Sequence, residues 1–221
     1  MTNVAGSGLR ERKKQQTRQA IAEAASSLFA ERGFDAVTVA QIADAANVAP
    51  QTVLNYFPAK EDLVLGAFDE SLLQRFADAV RSCGPGESVI SAVRTLVFAH
   101  FDHALASEDF EAIVAAAELI EASPALQARQ RADAARWAAS LSAAVAETFG
   151  ASSTDVEPLL VGNATISVYE TIFEMARRRL LAGQRGRQLR GALRSDAERC
   201  WTLLEHGLGD YRRPTSGSAQ R

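Results

Sequence analysis

The sequence has 221 residues, 47% of them hydrophobic and 23% charged, with a formal net charge of −3. That balance is ordinary for a globular chain and gives no overall argument for a polyanionic partner. Two cysteines, Cys83 and Cys200, exclude a disulfide framework.

No window reaches the roughly 18 uncharged apolar residues that a membrane helix needs. Residues 1–9 are small and polar, unlike a secretory leader. The expectation is a cytoplasmic protein without a membrane partner. The charge is unevenly spread. Residues 1–20 hold five Lys/Arg against one Glu, residues 61–176 hold six against 18 Asp/Glu, and residues 177–199 hold eight against two. Such asymmetry points to parts with different partners.

In chain order, residues 1–9 read as a flexible tail. A first helix runs from about 10 to 32, with Ile21, Ala24, Ala25, Leu28 and Phe29 as its apolar stripe. Gly33 stands where a helix ends on a left-handed residue, and Phe34 beyond it suits the accompanying hydrophobic contact. After the connector 35–37, Thr38 is a candidate N-cap for a short helix over 39–46. Residues 47–49 are a turn. Pro50 opens a third helix, at a position where its missing N–H costs nothing. That helix ends by Phe57, because Pro58 disfavours helical backbone before it.

Lys60 begins a fourth helix reaching about Ser82, and Cys83-Gly84-Pro85-Gly86 breaks the chain. Further helices are predicted over 87–106, 110–121, 124–149, 156–181 and 188–206, and a second tail over 212–221. Strand-like alternation is missing. The prediction is an all-α chain of nine helices. Residues 10–58 form a three-helix helix-turn-helix unit, and 59–211 form a larger helical domain.

The informative stretch is 38–57, TVAQIADAANVAPQTVLNYF. Val39, Ile42, Ala43 and Ala46 line one face of the second helix. Val53, Leu54 and Phe57 line one face of the third. Helices this short are not stable alone, so they must pack on each other and on the first. The outer face of the third helix then presents Gln51, Thr52, Asn55 and Tyr56. Gln51 and Asn55, four apart, project from one side. Such a helix fits the major groove of duplex DNA with its N-terminal residues on base edges. Primary amides match the donor and acceptor of adenine, and a Thr52 methyl suits thymine. No Lys or Arg lies between 38 and 57. Phosphate attraction must therefore come from Arg10, Arg12, Lys13, Lys14 and Arg18 on one flank and Lys60 on the other. Phosphate contacts position a protein, and base contacts specify sequence.

The segment GFDAVTVAQIADAANVAPQTVLNYFPAKEDLV resembles the DNA-binding region of the TetR family of bacterial transcription regulators. The match lies in Glu31-Arg32-Gly33-Phe34, Thr38-Val39 with Ile42-Ala43, Val48, Tyr56-Phe57-Pro58 and Lys60-Glu61-Asp62-Leu63, and it covers about residues 14–65. The resemblance implies DNA-facing positions at Lys14, Thr38, Gln41, Pro50, Gln51, Thr52, Asn55, Tyr56 and Lys60. It also implies a homodimer on a palindromic double-stranded operator, released by a ligand, with repression as the usual outcome and activation as the alternative. One departure stands at Ala49, where the family usually places a capping Ser or Thr. Its absence costs about 1 kcal/mol of local stability.

Between 87 and 182, bulky residues punctuate an alanine-rich background. Phe98, Phe101, Trp137, Tyr169 and Phe173 are the candidate lining of an effector pocket, with Phe110, Ile113 and Leu141 as further candidates. Ordinary core packing is the competing reading for each. The stretch FEAIVAAAELIEASPALQARQ is similar to sensor domains of a TetR subgroup that includes the mycofactocin regulator. That similarity implies a small apolar effector, such as an acyl-CoA. Arg129, Arg131 and Arg136 then become candidate phosphate partners, against solvated helix charge. The last two helices are expected to pack across a two-fold axis through Val161, Val168, Ile172, Leu193, Trp201, Leu204 and Leu208. The arginines of 177–190 read as a solvated helix end. His100 and His103, with Asp102 or Glu170, form a weak metal pattern that would suit a helical metal-dependent enzyme. No phosphate loop or nucleophile motif supports an enzyme, and no cofactor, metal or catalytic residue is expected.

Overall fold

Helical periodicity carries through into the computed structural model. The structure describes residues 5–65, 70–83, 88–106, 110–152 and 154–207, with backbone alone for 5–9, 70–72, 102–106 and 110. Every regular element among the described residues is an α-helix. They are α1 (Ala5–Arg32), α2 (Val39–Ala45), α3 (Pro50–Tyr56), α4 (Asp62–Leu65), α5 (Glu70–Arg81), α6 (Val89–Ala106), α7 (Phe110–Ala122), α8 (Pro124–Phe149), α9 (Val156–Leu181) and α10 (Gly186–His206). Nine helices were expected. The described residues give ten segments, because the expected fourth helix is represented by α4 and α5. Its start also moves from Lys60 to Asp62. The Asp62 carboxylate accepts the Ala59 N–H at 2.8 Å, so residues 59–61 form a turn ahead of the helix. The N-terminal tail expected over 1–9 is helical from Ala5 onward. Residues 1–4, the break at 84–87 and the C-terminal tail lie outside the described residues.

Compactness divides the chain into two units. The first comprises Met1–Glu70 and Asp109–Asp133, and the second Ser71–Glu108 and Ala134–Arg221. The sequence-based division fell at a single point, 58/59. The compact division instead returns the α7–α8 corner to the first unit.

In the first unit, Ile21, Ala25 and Phe29 of α1 are at most 2% exposed, and they share one core with Ile42 and Ala43 of α2, Val53 of α3, Leu65 of α4, Ile120 of α7 and Leu126 of α8. α1 ends as expected. Gly33 takes φ +76, its N–H reaches the Phe29 carbonyl at 2.9 Å, and the Phe34 ring packs 5.2 Å from that of Phe29. A Cβ at that φ would be strained, which is why glycine serves there. In the second unit α9 packs along α10, and α6 contacts both. Trp201, Leu189 and Leu193 of α10, Ile166 and Ile172 of α9, and Val93 and Val97 of α6 are at most 3% exposed. α8 and α9 approach so closely at Gly162 that a Cβ there would lie 2.1 Å from Ser142 Oγ and 2.6 Å from the Ala138 carbonyl oxygen.

Candidate nucleic-acid interface and effector region

Thr38 caps α2 as the sequence suggested, and it does so as half of a reciprocal capping box. Its hydroxyl accepts the Gln41 N–H at 3.3 Å, while Gln41 Oε1 accepts the Thr38 N–H at 2.8 Å. Two unsatisfied donors at the helix start are met at once. Gln41 therefore has a local task in addition to its exposed position. The N-cap of α3 is Ala49, with no side-chain cap, and Pro50 follows. Asn47 turns the chain between the two helices with φ +54, a conformation that asparagine tolerates better than most residues.

On α3, Val53 and Phe57 are buried. Gln51 and Asn55 are exposed and joined by a 3.2 Å hydrogen bond from Gln51 Nε2 to Asn55 Oδ1. Their shared side is thus realised, and Thr52 and Tyr56 are half-buried at its edge. Leu54 departs from expectation. It was assigned to the inner face but is 37% exposed, because a seven-residue helix offers its core one narrow stripe, which Val53 and Phe57 fill.

Two of the expected phosphate-binding cations have other work in the structure. Arg18 Nη1 donates to the Tyr56 carbonyl at 3.0 Å, and its guanidinium lies 4.3 Å from the centre of the Phe57 ring. Lys60 Nζ donates to the carbonyls of Phe34 and Val37, both at 2.9 Å, and sits 4.1 Å from the centre of the Phe34 ring. Both cations hold backbone around the helix-turn-helix. Arg10, Arg12, Lys13 and Lys14 are exposed.

Arg129 is not a free surface charge either. Its Nε donates to both Asp133 oxygens at 3.0 Å, and its Nη2 donates to Asp62 Oδ1 at 2.9 Å. Burial disfavours its charge, but the hydrogen bond and Coulomb attraction of Asp133, with those of Asp62 and Glu61, outweigh this and raise its pKa. Sequence reading had no signal for this group, since Arg129 and Asp62 lie 67 positions apart.

In the second unit, Tyr169 is 3% exposed and surrounded by rings. Its centroid lies 5.7 Å from Trp137, 6.0 Å from Phe101, 6.5 Å from Phe173, 6.1 Å from Phe76 and 6.3 Å from His100. Burial pushes the Tyr169 phenol well above its ordinary pKa. Four of the five candidate pocket residues therefore come together, with Phe76 and His100 added. Phe98 is placed instead with the guanidinium groups of Arg94, at 5.8 Å, and Arg194, at 5.3 Å. A cavity of about 420 Å³ opens in this unit, lined mainly by Val89, Ile90, Val145, Phe149, Pro158 and Val161, together with Glu157. None of the five candidates lines it. The His103 side chain lies outside the described residues. Among those described, no three His, Cys, Asp or Glu side chains gather as a metal site.

The expected two-fold contacts need correction at Ile172, Leu193 and Trp201. These are 1%, 3% and 0% exposed, facing the unit's own core. The large apolar residues that α9 and α10 leave exposed are Val156, Leu159, Leu160, Leu181 and Leu203. Val161, Val168 and Leu204 are half-buried, and Leu208 lies outside the described residues. The arginines after 176 are largely tied down. Arg177 and Arg178 both pair with Glu174, Arg179 Nη2 meets Asp196 at 2.6 Å, and Arg185 reaches the Leu180 carbonyl at 2.6 Å.

Residues 21–67 match the bacterial regulatory proteins of the tetR family, and residues 87–198 match the MftR C-terminal domain. The chain belongs to the TetR family. Its C-terminal half is of the MftR type. Among curated proteins it is similar to the HTH-type transcriptional regulator TcmR of Streptomyces glaucescens, at 35% identity over 128 residues, 56% of each chain. It is also similar to the HTH-type transcriptional repressor KstR2 of Rhodococcus jostii, at 32% over 88 residues, 38% of this chain and 43% of that one. The chain thus spans about half the length of the curated relatives it matches. Among solved structures, NalD of Pseudomonas aeruginosa shares the fold with a TM-score of 0.52 at 20% identity, covering 87% of this chain and 97% of that one.

Proposed function

We propose that this chain is a sequence-specific DNA-binding transcription regulator whose α3 enters the major groove. The observation that carries this reading is the exposed Gln51–Asn55 pair on one side of a helix whose last carbonyl is held by Arg18. An amide pair held in this way offers donors and acceptors that match base edges. Pro50, Thr52, Tyr56, Thr38 and Gln41 border that face. Lys14, with Arg10, Arg12 and Lys13, supplies sequence-independent attraction to phosphate. Residues 10–58 hold the groove-facing surface, and sensing and dimerisation fall to helices within 59–211.

The protein acts in the cytoplasm as a homodimer on a palindromic operator, because one small reading head has too little surface for useful specificity. Repression relieved by a ligand is the favoured mode, in line with the name of KstR2. The effector is a small apolar molecule, such as an acyl thioester. The aromatic group around Tyr169 and the apolar cavity in the same unit support that class.

Selection from a random duplex pool tests the reading. The expected outcome is a palindrome with half-sites about 34 Å apart, footprinted by a dimer. Recovery of no preferred sequence would sink it.

A further inference from the structure

The α7–α8 corner grips the chain on both sides of the helix-turn-helix. Before α2, Ser123 Oγ donates to Asp35 Oδ1 at 2.8 Å and accepts the Leu126 N–H at 3.3 Å. One hydroxyl thus starts α8 and holds the loop ahead of α2. After α3, the Asp62 carboxylate takes the Ala59 N–H on one oxygen and Arg129 on the other. Asp133 anchors the guanidinium from α8 itself. The side chains are well shielded, at 30% exposure for Arg129, 24% for Asp62 and 11% for Asp133. Between the two grips, Ile120 and Leu126 join the core of α1–α4. No part of this arrangement is required by a three-helix reading head standing alone.

We propose that Arg129 is a positioning residue for DNA recognition: with Ser123 it fixes the attitude of α3, and the corner of 110–133 belongs to the reading head. The inference rests on the DNA-reading function proposed above. A guanidinium is the group suited to this role, because its planar fork can satisfy two carboxylates at set angles, whereas an ammonium is a point charge on a flexible stem. Asp133 and Trp137 are one turn apart on α8, and the Trp137 ring packs on Tyr169. One helix therefore carries both the grip and an aromatic of the candidate effector region.

The test uses the full chain and the duplex that the wild-type protein selects from a random pool. Failure to select any duplex would defeat the DNA-reading function itself rather than this inference. With that duplex, Arg129→Met is expected to weaken specific binding about tenfold, well below the melting temperature. The salt slope and the affinity for a scrambled duplex should be unchanged, since no phosphate contact is lost. Arg129→Lys should restore less than half of the effect on a logarithmic scale. Asp62→Asn, which leaves the Arg129–Asp133 pair in place, should give a similar loss, and the double variant should be no worse than Arg129→Met alone. If Arg129→Met does not fold, Asp62→Asn alone decides. A lower melting temperature with unchanged specific affinity would overturn the proposal. So would a loss shared equally by the scrambled duplex with a flatter salt slope, which would make Arg129 a phosphate contact.

Discussion

In the first unit, seven-residue helices are held by side chains that reach backbone. Arg18 takes the carbonyl of Tyr56, Lys60 takes those of Phe34 and Val37, and Thr38 and Gln41 take each other's N–H. In the second unit, helices of 26 and 21 residues run side by side and are joined by buried rings and aliphatics. Polar completeness differs as well. Thr165 Oγ1 and Trp201 Nε1 are buried in the second unit without a hydrogen-bond partner among the described residues. Short helices cannot hold themselves, so the first unit needs directional contacts that fix a surface. Long packed helices tolerate an unmet donor, close tightly at Gly162 and leave an apolar cavity elsewhere. One unit is built to present a shape, and the other to allow adjustment.

The sharpest way to break this contrast is at the α8–α9 crossing. Gly162→Ala places a methyl into Ser142 and the Ala138 carbonyl. We expect about 3 kcal/mol of destabilisation, within the range for overpacking, read by calorimetry as a fall of about 6–12 °C in melting temperature. An unchanged melting temperature would show that the crossing is looser than described.

At the reading face, Asn55→Ala should remove about 1–3 kcal/mol of discrimination at one base pair if its contact is bidentate. Lys14→Ala should weaken all duplexes alike and flatten the salt dependence by about one unit of slope. Binding isotherms on selected and scrambled duplexes separate the two. A change of sequence preference from Lys14→Ala alone would reverse the assigned roles.

Thr165→Val removes a buried hydroxyl that lacks a partner among the described residues. Such a change should stabilise the fold by about 1 kcal/mol, measured by urea titration. Destabilisation of that size would mean that the hydroxyl is hydrogen-bonded.

The smallest effect concerns Glu174. Burial raises its pKa, but hydrogen bonds and attraction from Arg177 and Arg178 outweigh this and hold it below the ordinary glutamate value. A carboxylate lowered on folding adds stability above its unfolded pKa, and that stability is lost as pH falls through the folded value. Because the group is about a third exposed, the expected cost of Glu174→Gln at neutral pH is only about 0.3–0.5 kcal/mol. The gap from wild type should start to narrow as pH falls below the ordinary glutamate value of about 4.3 and close only below the lowered folded value. A gap that persists there would point to packing rather than charge.

Much of the first unit was legible because its signals are local. Gly33, Thr38, Pro50 and Pro58 each punctuate the chain within a few residues of what they cause. The amide pair of α3 follows from a spacing of four. The bounds of α8 and α9 also follow from local breaks at Ser123-Pro124 and after Leu181. What stayed hidden depends on distance along the chain. The contact of Arg18 with Tyr56, 38 positions on, has no local signal. Ile172 and Trp201 have the apolar spacing of an interface, but a helix stripe does not say whether it faces its own chain or another. Phe98 failed to join the rings around Tyr169 because composition cannot tell which side of α6 meets α9.

The length of α1 has a kinetic consequence. The helix has 28 residues, and Ile21 is its first residue in the core. Arg10 therefore stands about 16 Å along the helix axis from that anchor, at 1.5 Å per residue. This is roughly twice the Debye length of about 8 Å at physiological salt. The charges of Arg10, Lys13 and Lys14 feel a polyanion before the shielded body of the protein does, and they widen the target that a diffusing duplex must hit. On the proposed DNA-reading function, their main influence falls on the rate of encounter, which steering charges raise and salt suppresses, with the lifetime of the complex left to the amides of α3.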